Sequence, residues 1–187
     1  MDIAVIGAGP AGIMAALQAA RSVRSVTLIE QNPSIGRKLL VTGSGRCNLS
    51  NTAIQTNNYT SSDSDWITSF LQACPPEDLL KEINALGIPT FSTNDGWVYP
   101  LSQSAGAMVA VLVARLQESG VKLRVATKVE AVRAAKPGEG NGFQLTLTTE
   151  DGKREEICQH LVVASGGKAY PQLGSRGNLF QSLQALG

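Results

Sequence analysis

Three glycines and one carboxylate are the residues whose types and spacing could do chemistry first in this chain. Gly7, Gly9 and Gly12 follow the apolar run Ile3–Ile6 and open a helical pattern. A second apolar run, Val26 to Ile29, ends in Glu30, roughly 20 residues past the last of these glycines, where a dinucleotide-binding unit needs its acid. In such a unit Gly7 permits the tight turn, Gly9 lets a pyrophosphate approach the backbone, and Gly12 lets helix and strand pack closely. Pro10 and Ala11 complete the turn. The helix N-terminus offers free N–H groups and a partial positive charge to phosphates, and Glu30 accepts hydrogen bonds from a ribose diol. A glycine-rich turn that binds nothing needs no acid at that distance, so the full context favours binding.

A second group of candidates lies in the polar, glycine-rich stretch Gln31 to Asn58, read here as one long loop. Loops of that length inside a compact domain are usually functional or disordered. Alternation of glycine with Arg37, Lys38, Arg46, Asn48 and Asn51 suits a loop that wraps a ligand. Arg37, Lys38 and Arg46 either neutralise a pyrophosphate or are solvated loop charges. Cys47 either lies near a cofactor or is a small buried loop residue. The cysteines Cys47, Cys74 and Cys158 are odd in number and widely spaced, which argues against disulfides and zinc and for a reducing cytoplasm. His160, the single histidine, reads as a strand-entry residue. No metal cluster, Ser/His/Asp set or pair of catalytic carboxylates is legible, and no catalytic residue is assigned.

The elements that must position these residues follow from periodicity and punctuation. Strands are expected at Asp2–Ile6, Val26–Glu30, Val121–Val125 and Leu161–Ala164, in one parallel sheet. Helices are expected from Asp63 to Ala73, from Pro75 to Gly87, over Ala105–Glu118, and at the end through Leu179, Leu183 and Leu186. Asp95-Gly96 predicts a hairpin. Lys128–Ala134, Phe143–Thr149 and Arg154–Cys158, separated by Gly138-Glu-Gly-Asn-Gly and Asp151-Gly, predict a β-meander on one face of the sheet. The fold class is thus α/β: a Rossmann-like dinucleotide-binding domain over residues 1–187, with a helical and hairpin excursion at about 60–118 and the meander at about 128–158.

A nicotinamide domain would continue with regular β–α units. A single β–α–β unit, an excursion, a meander and a strand ending Ala164-Ser165-Gly166-Gly167 resemble FAD domains of the glutathione-reductase type. Glu30 also repels a 2′-phosphorylated ribose. The resemblance narrows on Thr42-Gly-Ser-Gly-Arg-Cys-Asn-Leu-Ser-Asn51, which looks like the signature loop of bacterial FAD-dependent oxidoreductases of the aminoacetone-oxidase-like family. Gly36-Arg-Lys38, Gly96-Trp-Val-Tyr-Pro-Leu-Ser102, Thr127-Lys-Val129 and Gly166–Gly174 are similar to the same family. Ser44, Trp97 and Asn178 stand where the family usually has glycine, arginine and aspartate.

The resemblance implies FAD as cofactor. With the motifs above, it gives as cofactor-binding residues Gly7, Gly9, Pro10, Ala11, Gly12, Glu30, Gln31, Arg37, Lys38, Gly45, Arg46, Cys47, Asn48, Val129, Ser165, Gly166 and Gly167. It also implies a small-molecule substrate and admits a nicotinamide reductant. Family members continue past Gly187 with a substrate domain and a segment returning to the FAD sheet. This chain is therefore expected to be the cofactor-binding front half of an oxidoreductase. The rival readings are a truncated, non-catalytic remnant and a simple dinucleotide-binding module. With 187 residues, 43% hydrophobic content and a net charge of +1, the chain can form a sizeable core and gives no reason to expect nucleic acid or an anionic membrane as partner. No apolar run reaches membrane-span length, and no secretory signal precedes the first strand.

Overall fold

Short apolar runs ending in glycine or acid become buried strands, and the intervening amphipathic segments become helices. The computed structural model describes all residues except 23, 24, 137, 139, 175 and 187. The expected helix stop at Gly187 and Glu139 of the expected turn lie outside the described residues. In chain order the elements are β1 (Ile3–Ile6), α1 (Pro10–Ala20), β2 (Val26–Ile29), α2 (Arg37–Val41), β3 (Ser50–Asn51), α3 (Ser64–Ala73), α4 (Pro76–Ala85), β4 (Thr90–Ser92) and β5 (Trp97–Pro100). There follow α5 (Ala105–Glu118), β6 (Lys122–Arg124), β7 (Lys128–Ala134), β8 (Phe143–Thr149), β9 (Gly152–Cys158), β10 (His160–Val163) and α6 (Phe180–Gln184). Two compact units result, Met1–Lys38 with Leu112–Gly187, and Leu39–Val111.

In the first unit four parallel strands are ordered β10-β1-β2-β6. Ile3–Ile6 pair with His160–Val163 on one side and with Val26–Ile29 on the other. This is the sheet expected from the sequence. Ala4, Ile6 and Ile29 join Val129, Val132, Leu145, Leu147 and Cys158 of the β7-β8-β9 meander in one buried cluster, so the meander covers one face. Strand alternation turns Val5 and Leu28 to the other face, where α1 contributes Ile13, Ala16 and Leu17. Leu28, Ile13, Leu145 and Leu147 are fully buried, and each such side chain contributes roughly 1.5–3 kcal/mol by leaving water. Arg124 ties the β6 edge to β9, with Nη1 2.7 Å from both carboxylate oxygens of Glu156.

The second unit contains a three-stranded antiparallel sheet, β3-β5-β4. Asp63 caps α3 by accepting from Trp66 N, and Gly96 at φ +84 makes the expected hairpin turn. Two expectations are corrected. Residues 31–58 are not one loop: they hold α2, a 3-10 turn at Thr42–Gly45, the short strand β3 and another 3-10 turn at Thr56–Asn58. These elements are too short to show periodicity, and β3 exists through its pairing with β5, so its signal is tertiary. The last helix is only five residues long. Leu179 is buried and Leu183 packs on the core, but Leu186 is 37% exposed, because α6 ends before a second turn can bury it. Ser44 sits at φ +54, a left-handed conformation that costs a non-glycine residue about 1 kcal/mol, which accounts for glycine being the natural residue there.

Burial separates the three thiols. Cys47 and Cys158 have no exposed surface, and burial pushes both above the usual thiol range; Cys74 is exposed. A thiolate-selective reagent at about pH 8 should therefore label Cys74 in the native protein and reach Cys47 and Cys158 only on unfolding. Rapid native labelling of all three, read by mass spectrometry, would contradict this packing.

Candidate functional site

The site grows from the turn between β1 and α1. Gly7 adopts φ +96, and a Cβ there would lie 2.6 Å from Ala164 O at the end of β10. At Gly12 a Cβ would lie 1.8 Å from Gly7 O, so helix and turn are in backbone contact. Gly9 differs: its φ is an ordinary −78°, and nothing lies within 4 Å of a Cβ built on it. That empty space opens from the first residue before the helix. No side chain caps α1, its first turn holds no acid, and Pro10 contributes no N–H. Backbone donors at the positive end of the helix dipole thus remain for a ligand.

Beside this turn lies a cavity of about 230 Å³ at the carboxyl ends of β1, β2 and β10, where open α/β sheets place their ligands. All its lining residues come from the first unit. Of the sequence-derived candidates, Gly7, Gly9, Pro10, Ala11, Glu30, Gln31, Arg37, Lys38, Val129, Ser165, Gly166 and Gly167 line it. Gly12 lies behind the turn as a packing position. Gly45, Arg46, Cys47 and Asn48 belong to the second unit. There Arg46 stacks 4.6 Å over the Tyr99 ring, Cys47 Sγ lies 3.2 Å from Met108 Sδ, and Asn48 Oδ1 is buried without a partner among the described residues. His160 is the exposed first residue of β10.

Glu30 is 8% exposed and heavily hydrogen-bonded. Its Oε2 accepts from Ala8 N at 2.8 Å, and its Oε1 from Asn32 N at 2.8 Å and Asn32 Nδ2 at 2.6 Å. A carboxylate has about four lone-pair positions, so one remains for a ligand hydroxyl. The backbone of Glu30 is fixed as well: its N–H donates to Arg124 O and its carbonyl accepts from Thr127 N. Arg37 and Lys38 supply cations to the wall. Arg37 donates to Asn32 Oδ1, and Lys38 Nζ lies 5.2 Å over the Tyr170 ring. The arrangement can hold an acceptor-seeking sugar at Glu30 and an anion at the helix start and the two cations.

Sequence reasoning did not single out Asn32 or Arg176, and it gave Thr127, Tyr170–Gly174 and Asn178 only as points of family comparison, without a place in the site. Tyr170, Leu173, Gly174, Arg176, Gly177, Asn178 and Leu179 line the far wall, and Gln31 Nε2 donates to Gly174 O at 2.7 Å. Asn178, one of the departures from the family pattern, belongs to this wall; Trp97, another, is 43% exposed in the second unit. The glycine spacing Gly166, Gly167, Gly174 and Gly177 was the available signal for this wall.

Comparison with known proteins identifies the family and the fold. The family described as the HI0933-like protein Rossmann domain matches residues 1–187. A 3-dehydro-bile acid delta(4,6)-reductase of Clostridium scindens is 34% identical over 99% of this chain and 44% of its own length. A ribosomal RNA dihydrouridine synthase of Haemophilus influenzae is 28% identical over 98% of this chain and 44% of its own length. The chain therefore spans under half the length of these curated relatives. Among solved structures, THI4 of Thermovibrio ammonificans superposes with a TM-score of 0.65 at 14% identity, over 98% of this chain and 61% of that one.

The glycines should separate by experiment. Gly9→Ala should leave the melting temperature nearly unchanged, because its Cβ enters open space. Gly12→Ala should cost about 2 kcal/mol or more, several degrees in melting temperature, because its Cβ overlaps a backbone carbonyl. Equal melting temperatures for the two variants would overturn the assignment of Gly12 to packing.

Proposed function

The chain belongs to the HI0933-like family through its Rossmann domain, and we propose that the cavity at its strand ends binds the adenosine and pyrophosphate portion of FAD in an oxidoreductase. The observation that carries this reading is the pairing of an empty Cβ position at Gly9 with a buried, pre-oriented carboxylate at Glu30. Gly9 leaves room for phosphate at the helix N-terminus, and Glu30 offers its remaining acceptor position to the ribose. Arg37 and Lys38 offset the phosphate charge. Val129 and Ser165–Gly167 line the cavity on the sheet side. When bound, FAD supplies the electron-transfer chemistry. This chain's residues bind and orient it.

The aminoacetone-oxidase-like branch is the finer placement we favour, on the Thr42–Asn51 signature. Gly45, Arg46, Cys47 and Asn48 are assigned to the cofactor on that resemblance alone. For the whole protein we propose reduction of an unsaturated bond in a small organic molecule, with a nicotinamide as electron source. The bile acid reductase supports this direction. A second reading has its own support: the relative named as a ribosomal RNA dihydrouridine synthase makes an RNA uracil a rival substrate. The net charge of +1 belongs to this chain and does not exclude RNA for a longer protein. None of the described helices is long and apolar enough to cross a membrane. Three free cysteines, two of them buried, fit a reducing compartment such as the cytoplasm.

The full-length protein, once purified, should release FAD, and neither FMN nor NADP alone, when heated and chromatographed. Gly9→Val should abolish FAD binding while circular dichroism stays native, because the branched side chain fills the phosphate's space. Glu30→Ala should weaken binding by about 1–3 kcal/mol, the range for a hydrogen bond to a charged partner. Full FAD occupancy in Gly9→Val would refute the dinucleotide reading of this turn.

A further inference from the structure

Asn32 stands between Glu30 and Arg37, two of the charged residues that line the cavity. Its side-chain amide donates through Nδ2 to Glu30 Oε1 at 2.6 Å and accepts through Oδ1 from Arg37 Nη1 at 2.5 Å. Its backbone N–H donates to the same carboxylate oxygen at 2.8 Å. Nδ2 also lies 3.5 Å from Leu173 O on the far wall. The partners fix the orientation of the amide. A carboxylate only accepts and a guanidinium only donates, so oxygen must face Arg37 and nitrogen must face Glu30. Asparagine alone, at this size, offers a donor at one tip and an acceptor at the other. Aspartate cannot donate to Glu30, leucine can do neither, and glutamine is one methylene too long.

We propose that Asn32 is a positioning residue for the cofactor's adenosine end, holding the Glu30 carboxylate and the Arg37 guanidinium apart and each aimed into the cavity. Opposite charges one amide apart would otherwise pair with each other. Glu30 would then lose the lone pair that meets the ribose, and Arg37 would leave the phosphate. Asn32 thus determines whether the wall presents an acceptor and a cation separately or a neutral ion pair. The charged side chains lining the cavity beside Glu30 and Arg37 are Lys38 and Arg176. The proposal rests on the FAD reading and extends it to a residue whose side-chain amide is engaged by Glu30 and Arg37.

The test uses ADP, which carries the adenosine and pyrophosphate without the flavin, with FAD and FMN as companions, titrated by calorimetry against wild type, Asn32→Ala and Asn32→Asp. Asn32→Ala should weaken ADP and FAD about tenfold, a loss of the size expected when one charged hydrogen-bond partner is displaced. Asn32→Asp is the readout that a merely structural role would not move. Two adjacent carboxylates share a proton at low pH, and that proton restores a donor to Glu30. Binding by this variant should be weakest near about pH 8 and should recover at least about fivefold relative to wild type near about pH 5.5. Loss without that recovery, or ADP affinity unchanged in both variants, overturns the role of Asn32 while leaving FAD binding intact. A wild-type protein that binds FMN but neither ADP nor FAD overturns the FAD reading and this inference together. Should Asn32→Asp not fold, as judged by its melting curve, Asn32→Ser decides. It retains the backbone donor and a hydroxyl, so its affinity should fall between wild type and Asn32→Ala, and equality with wild type counts against the proposal.

Discussion

Everything in the first unit hangs on the contact between Gly12 and the carbonyl of Gly7. No side chain of any size fits between them, since a Cβ would stand 1.8 Å from that oxygen. This contact sets how closely α1 lies to the strand it follows. The same turn is clamped from both sides. Gly7 N donates to Ile29 O on β2, and Ala164 N donates to Ile6 O as β10 ends. Three adjacent strand ends and one helix start therefore meet at one edge of the sheet. The helix's backbone donors, the carboxylate ending β2 and the glycines after β10 become neighbours because one pair of glycines permits it.

Convergence alone would leave a buried carboxylate without compensation. Glu30 is deep enough to lose most of its hydration, and an isolated charge there would cost several kcal/mol. Three short donor contacts, two from backbone N–H groups and one from Asn32, replace that water. The donors are fixed by β2, by the turn after β1 and by the segment leading to α2. The acid is thus rigid before any ligand arrives, which lowers the ordering cost of binding. The positive groups are arranged less rigidly. Lys38 is exposed and rests on the Tyr170 ring, and Arg37 is half-buried and held through Asn32. A fixed acceptor for the sugar and adjustable cations for the phosphates suit a cofactor with one rigid and one flexible region.

The sequence foretold this turn because its requirements are local. Strand, glycine spacing, helix and acid all lie within Ile3–Glu30, and each glycine answers to a steric demand of its neighbours. The meander and α5 were equally legible, through alternation and through a long apolar helical pattern bounded by Gly120. What escaped notice depends on contacts that residue spacing does not reveal. Asn32 looks like any polar residue after a strand until Ala8, Glu30 and Arg37 are seen around it. The wall from Tyr170 to Leu179 has no periodicity, and its relation to Gln31 spans more than half the sequence. β3 is two residues long and exists through β5. Leu186 misled because a spacing of four and three marks a helical stripe only if the helix continues, and α6 does not.

The division of the chain into two units bears on which sequence signals carry which argument. The glycine turn, Glu30 and the basic pair Arg37 and Lys38 fall in one unit, and their mutual geometry is internally determined. The signature loop Thr42–Asn51 falls wholly in the other, so its resemblance speaks to family and its structure speaks to itself. Within that loop the constraints are strict. Gly43 could not accept a Cβ without meeting Asn48 N and the Tyr99 ring, each at 2.9 Å, and Cys47 takes φ +62 with its thiol sealed against Met108. So tight a loop, held by backbone strain at Ser44 and Cys47, stays ordered only where the surrounding packing overrides local preference.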